Sequence, residues 1–288
     1  AVRALRQAVA ARRSAFVESL ENDLARTEFE ALVTDLLGTL DQLLAYERQA
    51  DALLGPTIRS SGDQRLFPDR RVEVRRAPLG VVARIGGSRY PIQEVIGALG
   101  AAVLTGNAFL GVLPAEEGVS GLIVEVVDEV ARSWPPGLVA LLPDKEGFVD
   151  ALVTCGIDHL VASGPAARIE PLVARFRETL GTSTVQVEPR SERTANALVV
   201  FPDADLEVAA RAATTSAFRL AGRAPESIRR VYIDEDRHEQ FAEICADLAI
   251  NAKLGRFAGG FEVGPLPTRR AADLAADLVD RAVEQGAR

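Results

Sequence analysis

Few side chains of this sequence combine a residue type and a spacing that could carry out covalent chemistry. The cysteines are Cys155 and Cys245, and a free cysteine on the apolar face of a helix, as predicted for Cys245, usually behaves as a small apolar group. The histidines, His159 and His238, fall in unrelated segments, and no spacing of His, Cys, Asp and Glu is typical of a metal site. We therefore expect no metal and no nucleophile from these residues.

The elements that would position a site follow a regular order along the chain. Two amphipathic helices precede Gly55-Pro56, and the charged alternation of 70–76 predicts an exposed strand. The unalternating apolar run 79–85 is typical of a strand buried on both faces. Gly86 then lets the backbone turn close under a ligand or a neighbouring segment. Strands alternate with helices from there on, which predicts an α/β fold, a Rossmann-like doubly wound parallel sheet with helices on both faces.

The stretch 182–233 resembles the segment of the aldehyde dehydrogenase superfamily that carries both catalytic groups. The match is clearest in FPDADL, residues 201–206, which follows the family pattern F-x-D-A-D-L. The resemblance implies that Glu188 occupies the place of the general base, which hydrolyses the thioester. It also puts Pro225, within AGRAPES, where the family has its nucleophilic cysteine. A proline has no thiol to attack a carbonyl, so Glu188 is equally well interpreted as a surface acid.

A second segment, APLGVVARIGGSRYPIQ at 77–93, resembles the family motif EPLGVV-x-x-x-x-P-W-N-x-P-L. In the family, the Asn of this motif donates a hydrogen bond to the oxyanion that forms during thiol attack, a large contribution in such chemistry. Arg89 stands at that position here. Arginine could stabilise an anion, but its length and geometry differ from those of Asn. The resemblance therefore implies that this part of the site has changed.

The resemblance also implies where a dinucleotide would bind. Glu116 matches the acidic residue that reaches the adenosine ribose in the family, although an acid favoured by a helix N-terminus is an equally good interpretation. Leu113 replaces the Lys that accompanies that acid. Gly164 matches a glycine of the pyrophosphate-binding turn, whereas Pro165 and Ile169 replace its Ser and its second Gly. Because these polar groups are lost, we expect that no cofactor is required. The cofactor-binding candidates, for NAD or NADP if any, are Gly86, Glu116 and Gly164.

The resemblance runs collinearly over nearly the whole chain and implies three parts. These are N-terminal helices and a β-ribbon at 1–76, a Rossmann-like nucleotide-binding domain at 77–214, and a truncated catalytic-domain segment, a partial second α/β unit, at 215–288. Family members use such a β-ribbon to join subunits. An edge strand whose arginines prevent it from pairing with another chain is an equally good interpretation of 70–76. Both ends of the sequence fall inside helical patterns, so we expect a piece of a longer polypeptide.

The composition argues against several classes of partner. The formal net charge is −8, with 26% charged and 48% hydrophobic residues. Such a balance argues against a nucleic-acid-binding surface and against binding to anionic membranes. No apolar run reaches the roughly 18 residues of a membrane helix, and no signal-peptide pattern opens the sequence. Two cysteines argue against a disulfide framework, so we expect a cytoplasmic protein.

Three functional hypotheses remain. The first is a truncated, catalytically inactive aldehyde-dehydrogenase-like module with a structural role, similar to the C-terminal pseudo-domain of two-domain aldehyde dehydrogenases. Its partners would be a second copy of the chain or an active aldehyde dehydrogenase domain. The second is an NAD(P)-dependent oxidoreductase acting on aldehydes, and the third is a nucleotide-binding sensor without turnover. The joint replacement of the nucleophile, the oxyanion Asn and the cofactor-binding Lys and Ser favours the first hypothesis. Several such losses together indicate that selection no longer maintains catalytic activity.

Overall fold

The computed structural model divides the chain into two compact units. Unit 1 consists of Ala1–Arg13 and Asp35–Ser191, and unit 2 of Ser14–Thr34 and Glu192–Arg288. The three-part division expected from the sequence stays a prediction. The structure describes residues 1–60, 71–86, 89–114, 118–145, 151–152, 156–164, 166–180, 186–191, 196–255 and 262–287.

Helices form where apolar residues recur at helical spacing. In the first two helices, the apolar positions of the pattern are buried: Leu5, Val9, Phe16, Leu20 and Leu24. The π-helical segments Ala31–Leu37 and Gln93–Gly97 lead directly into longer α-helices. The α-helices are α1 (Val2–Ala11), α2 (Arg13–Leu24), α3 (Glu28–Glu30), α4 (Gly38–Leu54), α5 (Ala98–Leu104), α6 (Gly118–Ala131), α7 (Ala166–Leu180), α8 (Leu206–Phe218), α9 (His238–Ile250) and α10 (Arg269–Glu284).

The strands within the described residues form three sheets. The largest has five parallel strands in the order β5-β4-β3-β6-β7, which confirms the predicted α/β fold with a parallel sheet. Strands β1 and β2 form an antiparallel ribbon, in which the predicted exposed strand 70–76 is confirmed as β2. The strands are β1 (Thr57–Ser60), β2 (Arg71–Val74), β3 (Val81–Ile85), β4 (Ala108–Leu113), β5 (Val139–Pro143), β6 (His159–Gly164), β7 (Gln186–Ser191), β8 (Ala197–Val200) and β9 (Arg230–Ile233).

The five-stranded sheet is covered by helices on both faces. On one face, Ile85 of β3 and Leu160 of β6 pack in a buried cluster with Ile169 and Phe176 of α7. Successive side chains of a strand point to opposite faces, so Arg84 lies on the other face, where it contacts the π-helical segment Gln93–Gly97. The unalternating apolar run of β3 follows from this double coverage.

Unit 2 contains the second, smaller α/β arrangement. Strands β8 and β9 are parallel neighbours, and α8 and α9 cover one of their faces in a cluster that includes Val200, Ala210 and Phe241. On the opposite face, Val199 is 57% exposed and Tyr232 is 54% exposed. Helix α8 begins at its N-cap Asp205, whose carboxylate accepts hydrogen bonds from the first-turn backbone, a strong helix-start signal within the FPDADL motif.

Candidate functional site

The carboxyl ends of β3 and β6 meet where the strand order of the large sheet reverses. Counted along the chain, the five strands have the order 3-2-1-4-5, with β3 first and β6 fourth. Ligands of such sheets bind in the crevice outside the carboxyl ends of the strands at this switch point. Gly86 follows the last residue of β3 and Gly164 is the last residue of β6. The structure therefore brings two of the three predicted cofactor-binding residues together at the expected edge of the sheet.

Both the backbone conformation of Gly86 and the space around it favour glycine. Its φ is 118°, in the region that residues with a side chain rarely adopt. An added β-carbon would overlap the carbonyl oxygen and the hydroxyl of Ser163, and would lie 3.1 Å from the Ser163 carbonyl carbon. Gly164 has a φ of 150°, but a β-carbon there would meet Ile169 only at an ordinary 3.6 Å. At Gly86, the backbone of the turn that follows β3 therefore lies directly against the end of β6.

A buried polar cluster lies directly beneath this turn. Arg84 is 2% exposed, and its guanidinium donates to the Glu94 carboxylate and, at 2.9 Å, to the hydroxyl of Ser163. The same hydroxyl donates to Glu94 at 2.6 Å. These three residues come from β3, the following helix and β6, so the cluster fastens the two strands of the switch point. Sequence reasoning missed it, although a charged residue inside the apolar run of β3 was a signal, because a buried charge needs a partner.

The described residues around the switch point do not fit a dinucleotide held as in the family. Leu113, which the resemblance matches to the family's Lys, is 3% exposed and ends β4 inside the core. Ile169, which it matches to the second glycine, is 1% exposed and packs on the sheet. Glu116 and Pro165 lie outside the described residues. Gly86 and Gly164 are present at the ends of β3 and β6. The described side chains, however, supply neither a cation for a diphosphate nor free space at a helix N-terminus, where backbone N–H groups could bind it.

Arg89 and Glu188, the residues matched to the oxyanion donor and the general base, belong to unit 1. Arg89 is half-buried in the bend that leads from β3 to the next helix. Glu188 lies within β7, whose backbone pairs it with Val161 of β6. The strand continues beyond it to Ser191, which pairs with Gly164. The backbone of Glu188 is thus three residues short of the carboxyl end of its strand.

Pro225 lies in unit 2, in the loop between α8 and β9. The loop begins with three successive residues of positive φ, namely Leu220 at 52°, Ala221 at 52° and Gly222 at 77°. Asn196, just before β8, donates from its side-chain amide to the Pro225 carbonyl at 2.9 Å and to the carbonyl of Ser227 at 3.2 Å. The proline is half-buried. The residue that the resemblance matches to the family's nucleophile therefore lies in a segment held by two hydrogen bonds from the Asn196 amide, the amide clamp, and carries no reactive group.

Further hydrogen bonds fix the start of this loop. The backbone N–H of Leu220 donates to the carboxylate of Glu30 at 2.7 Å, and Glu30 is 4% exposed. Glu30 also completes a capping box with Thr27. The guanidinium of Arg223 donates to the Leu220 carbonyl at 2.9 Å, and that of Arg229 to the Gly222 carbonyl at 3.0 Å. Sequence reasoning missed the bond from Leu220 to Glu30, because it joins segments 190 positions apart.

The clear pKa shifts lie away from both candidate positions. Hydrogen bonding from Arg6 to the Glu47 carboxylate is the main cause that lowers the pKa of Glu47, and Arg3 adds to it. Burial raises the pKa of Glu21, and the nearby charges of Glu28 and Glu18 raise it further. Neither carboxylate lies at the switch point or in the Pro225 loop, so neither is a candidate acid or base for chemistry there.

Cys245 packs beside Phe241 and Leu248 in the core of unit 2, and its sulfur lies 4.0 Å from the carbonyl oxygen of Ala210. Cys155 lies outside the described residues. In the part of the chain that the structure describes, no three His, Cys, Asp or Glu residues group as metal ligands would. Within those same ranges, no helix has the length and apolarity to cross a bilayer.

Comparison with known proteins extends the match to the whole chain. A model of the aldehyde dehydrogenase family matches residues 1–288. Aldehyde dehydrogenase 1A1 of Rattus norvegicus is 26% identical over 266 residues, which cover 90% of this chain and 50% of that protein. Retinal dehydrogenase 2 of Gallus gallus is 26% identical over 280 residues, covering 95% and 51%.

Solved structures show the same fold. An oxidoreductase from Marinobacter aquaeolei has a TM-score of 0.84 at 20% identity, covering 100% of this chain and 58% of that chain. An NADP-dependent enzyme of E. coli gives the same TM-score, identity and coverage. Together with the switch-point geometry, these matches define a protein of the α/β class with a dehydrogenase-type fold. The chain belongs to the aldehyde dehydrogenase family, as the resemblance implied. It spans about half the length of the curated relatives it matches.

Proposed function

We propose that this chain is a family module that does not itself oxidise aldehydes and that acts in subunit association or in shaping a complex. The observation that carries the proposal is Pro225 at the position of the nucleophilic cysteine. A proline has no thiol that could attack an aldehyde from this position. Its carbonyl accepts a hydrogen bond from Asn196, and the residue is half-buried. The similarity to the C-terminal pseudo-domain of two-domain aldehyde dehydrogenases supports the same role.

The other replaced positions point the same way. Arg89 stands for the oxyanion Asn and Leu113, buried in the core, for the cofactor-binding Lys. Each of these changes removes one contribution to binding or to stabilisation of the developing charge. Since the described switch point also lacks the polar groups for a diphosphate, the proposal includes no required cofactor. The two cysteines and the composition support a cytoplasmic location as part of the same proposal.

The association role is supported by the ribbon of β1 and β2. Its paired backbone lies at the surface, and Ile58 is 68% exposed, Val72 43% and Val74 38%. Exposed apolar residues on a two-stranded ribbon are expected to be covered by a partner, because such a ribbon is marginal alone. The proposed partners are a second copy of this chain or an active aldehyde dehydrogenase domain.

The direct test restores the missing thiol. We expect Pro225→Cys to show no NAD- or NADP-linked oxidation of aldehydes, because the oxyanion donor and the cofactor contacts are also replaced. The measurement follows absorbance of the reduced cofactor, with the unchanged chain as blank and an active aldehyde dehydrogenase as positive control. Circular dichroism checks that the variant is folded. Appreciable turnover by Pro225→Cys would contradict the structural role, and turnover by the unchanged chain would favour the alternative of an aldehyde oxidoreductase.

A nucleotide-binding sensor is the second candidate, and the two glycines at the switch point favour it. Titration calorimetry with NAD and with NADP distinguishes it from the structural role. Binding in the micromolar range that a Gly164 substitution abolishes, while the fold is kept, would support the sensor. No heat at millimolar cofactor would support a fold retained without its ligand.

A further inference from the structure

The loop that follows α8 contains a strained run of backbone. Leu220 and Ala221 both have a φ of 52°, and Gly222 has a φ of 77°. Glycine adopts such values freely, but in a residue with a side chain they bring the β-carbon too close to the following carbonyl oxygen. Within the described ranges, Ala25 is the one other residue with a side chain and a positive φ. Two such residues in succession persist only where their surroundings hold them.

A buried carboxylate holds the start of this run. The backbone N–H of Leu220 donates to Glu30 at 2.7 Å, and the two residues are 2% and 4% exposed. A hydrogen bond to a charged acceptor away from water is one of the stronger kinds. The Arg223 guanidinium adds a bond to the Leu220 carbonyl at 2.9 Å and one to the Leu24 carbonyl at 3.3 Å. These bonds fasten the loop to the corner between α2 and α3, up to 199 positions away in the chain.

We propose that residues 220–224 form a two-state strap, which Glu30 holds closed against the corner between α2 and α3 and which opens locally when that contact is lost. The left-handed region is separated from the other allowed backbone regions, so Leu220 and Ala221 leave it by a flip and not by gradual adjustment. In the closed state, the strain favours opening and the buried hydrogen bonds oppose it. Because these two contributions are of similar size, the closed and open states differ by the small amount that a local switch needs.

The strap adjoins a cavity within unit 2. The cavity has a volume of about 660 Å³, and its wall includes Glu30 together with Phe218 and Arg219, the two residues that directly precede the strap. Release of the strap from Glu30 therefore changes the wall of this cavity, so the strap acts as a gate for that space. The movement is independent of aldehyde turnover, and a catalytically active chain and an inactive chain would both show it.

The first test is hydrogen exchange of the 288-residue chain, followed by mass spectrometry. Glu30→Gln keeps one carbonyl oxygen, but its amide N–H₂ then faces one of the two backbone donors, Thr27 or Leu220, that the carboxylate accepts from. We expect exchange within 219–224 to become about 10- to 100-fold faster, while peptides from α9 and β8 exchange as before. Thr27→Ala is the matched control, because it removes the helix cap and leaves the bond between Glu30 and Leu220. It should change exchange of the strap by less than about threefold.

The second test removes the strain, and the sign of the effect decides. Ala221→Gly should make exchange of the strap about two- to fivefold slower after correction for intrinsic rates, because glycine adopts the left-handed region without cost. In an unstrained loop, the added freedom of glycine would make exchange faster. Ala204→Gly, in the turn before α8 and without a positive φ, is the control for that opposite sign.

The two substitutions also have a defined combined effect. Ala221→Gly in the Glu30→Gln background should recover part of the lost protection, because it lowers the strain that drives opening. Faster exchange of the strap in Ala221→Gly, unchanged exchange in Glu30→Gln, or an equal rise in every peptide of unit 2 would each overturn the proposal.

Discussion

Replacing Gly86 by alanine tests the close approach of β3 and β6 at the switch point. The new β-carbon would overlap the carbonyl oxygen of Ser163, which is backbone and has little freedom to move. At a φ of 118°, a residue with a side chain costs about 1–3 kcal/mol in backbone strain. Relieving the overlap by shifting β6 costs about 1–3 kcal/mol more, as for other overpacked sites. Gly86→Ala should therefore lower the free energy of unfolding by about 2–6 kcal/mol.

The assay is urea-induced unfolding followed by circular dichroism, with the free energy taken from the midpoint and slope. Gly121→Ala is the matched control. A β-carbon at Gly121 within α6 would meet nothing within 4 Å, so alanine should raise stability by about 0.5–1 kcal/mol. Ser163→Gly in the Gly86→Ala background removes the hydroxyl but not the carbonyl, and it also removes the hydrogen bonds of that hydroxyl with Arg84 and Glu94, so it should not restore the lost stability. If the free energy of unfolding of Gly86→Ala lies within about 0.5 kcal/mol of that of the unchanged chain, the described close approach of Gly86 to Ser163 is wrong.

Three further predictions concern hydrogen bonds and ion pairs. Asn196→Ala removes both bonds of the amide clamp on the loop that follows α8 and should cost about 1–3 kcal/mol in urea unfolding. Glu94→Gln leaves the buried guanidinium of Arg84 without its carboxylate and should cost about 3–5 kcal/mol. Glu47→Gln should destabilise the fold at pH 7, because the hydrogen bond from Arg6 lowers the pKa of Glu47 and so stabilises the folded state. That contribution is fully present above the ordinary pKa of Glu and is lost as the pH falls through the lowered pKa.

Each of these predictions has its own check. Asn251→Ala removes an exposed side-chain bond to the Asp247 carbonyl and should change stability by less than about 0.5 kcal/mol. Glu73→Gln breaks the exposed pair with Arg75, which should cost at most about 1 kcal/mol. Equal effects of the clamp or buried-pair variants and their controls would contradict the described burial. For Glu47, a stability gap that stays constant from neutral pH to well below the ordinary Glu pKa would contradict the assigned cause.

Local patterns were sufficient for most of the elements. Apolar periodicity predicted the helices, the unalternating run 79–85 predicted β3, and charged alternation predicted β2, because burial of each face is encoded in neighbouring residues. The parallel α/β class followed from the alternation of strands and helices. The sequence also named Gly86 and Gly164 separately as glycines of a binding turn. It did not show that they are neighbours, because adjacency depends on the order of strands across the sheet.

The sequence alone determined the family and the fold class, since each is a matter of residue type and local spacing, and it predicts that Pro225 replaces the nucleophile. The tertiary structure decided which partners these residues have. The cluster of Arg84, Glu94 and Ser163 joins segments separated by up to 79 positions, and Asn196 reaches a carbonyl 29 positions away. Side-chain hydrogen bonds depend on strand register and helix packing. They therefore emerge only when the whole chain is folded.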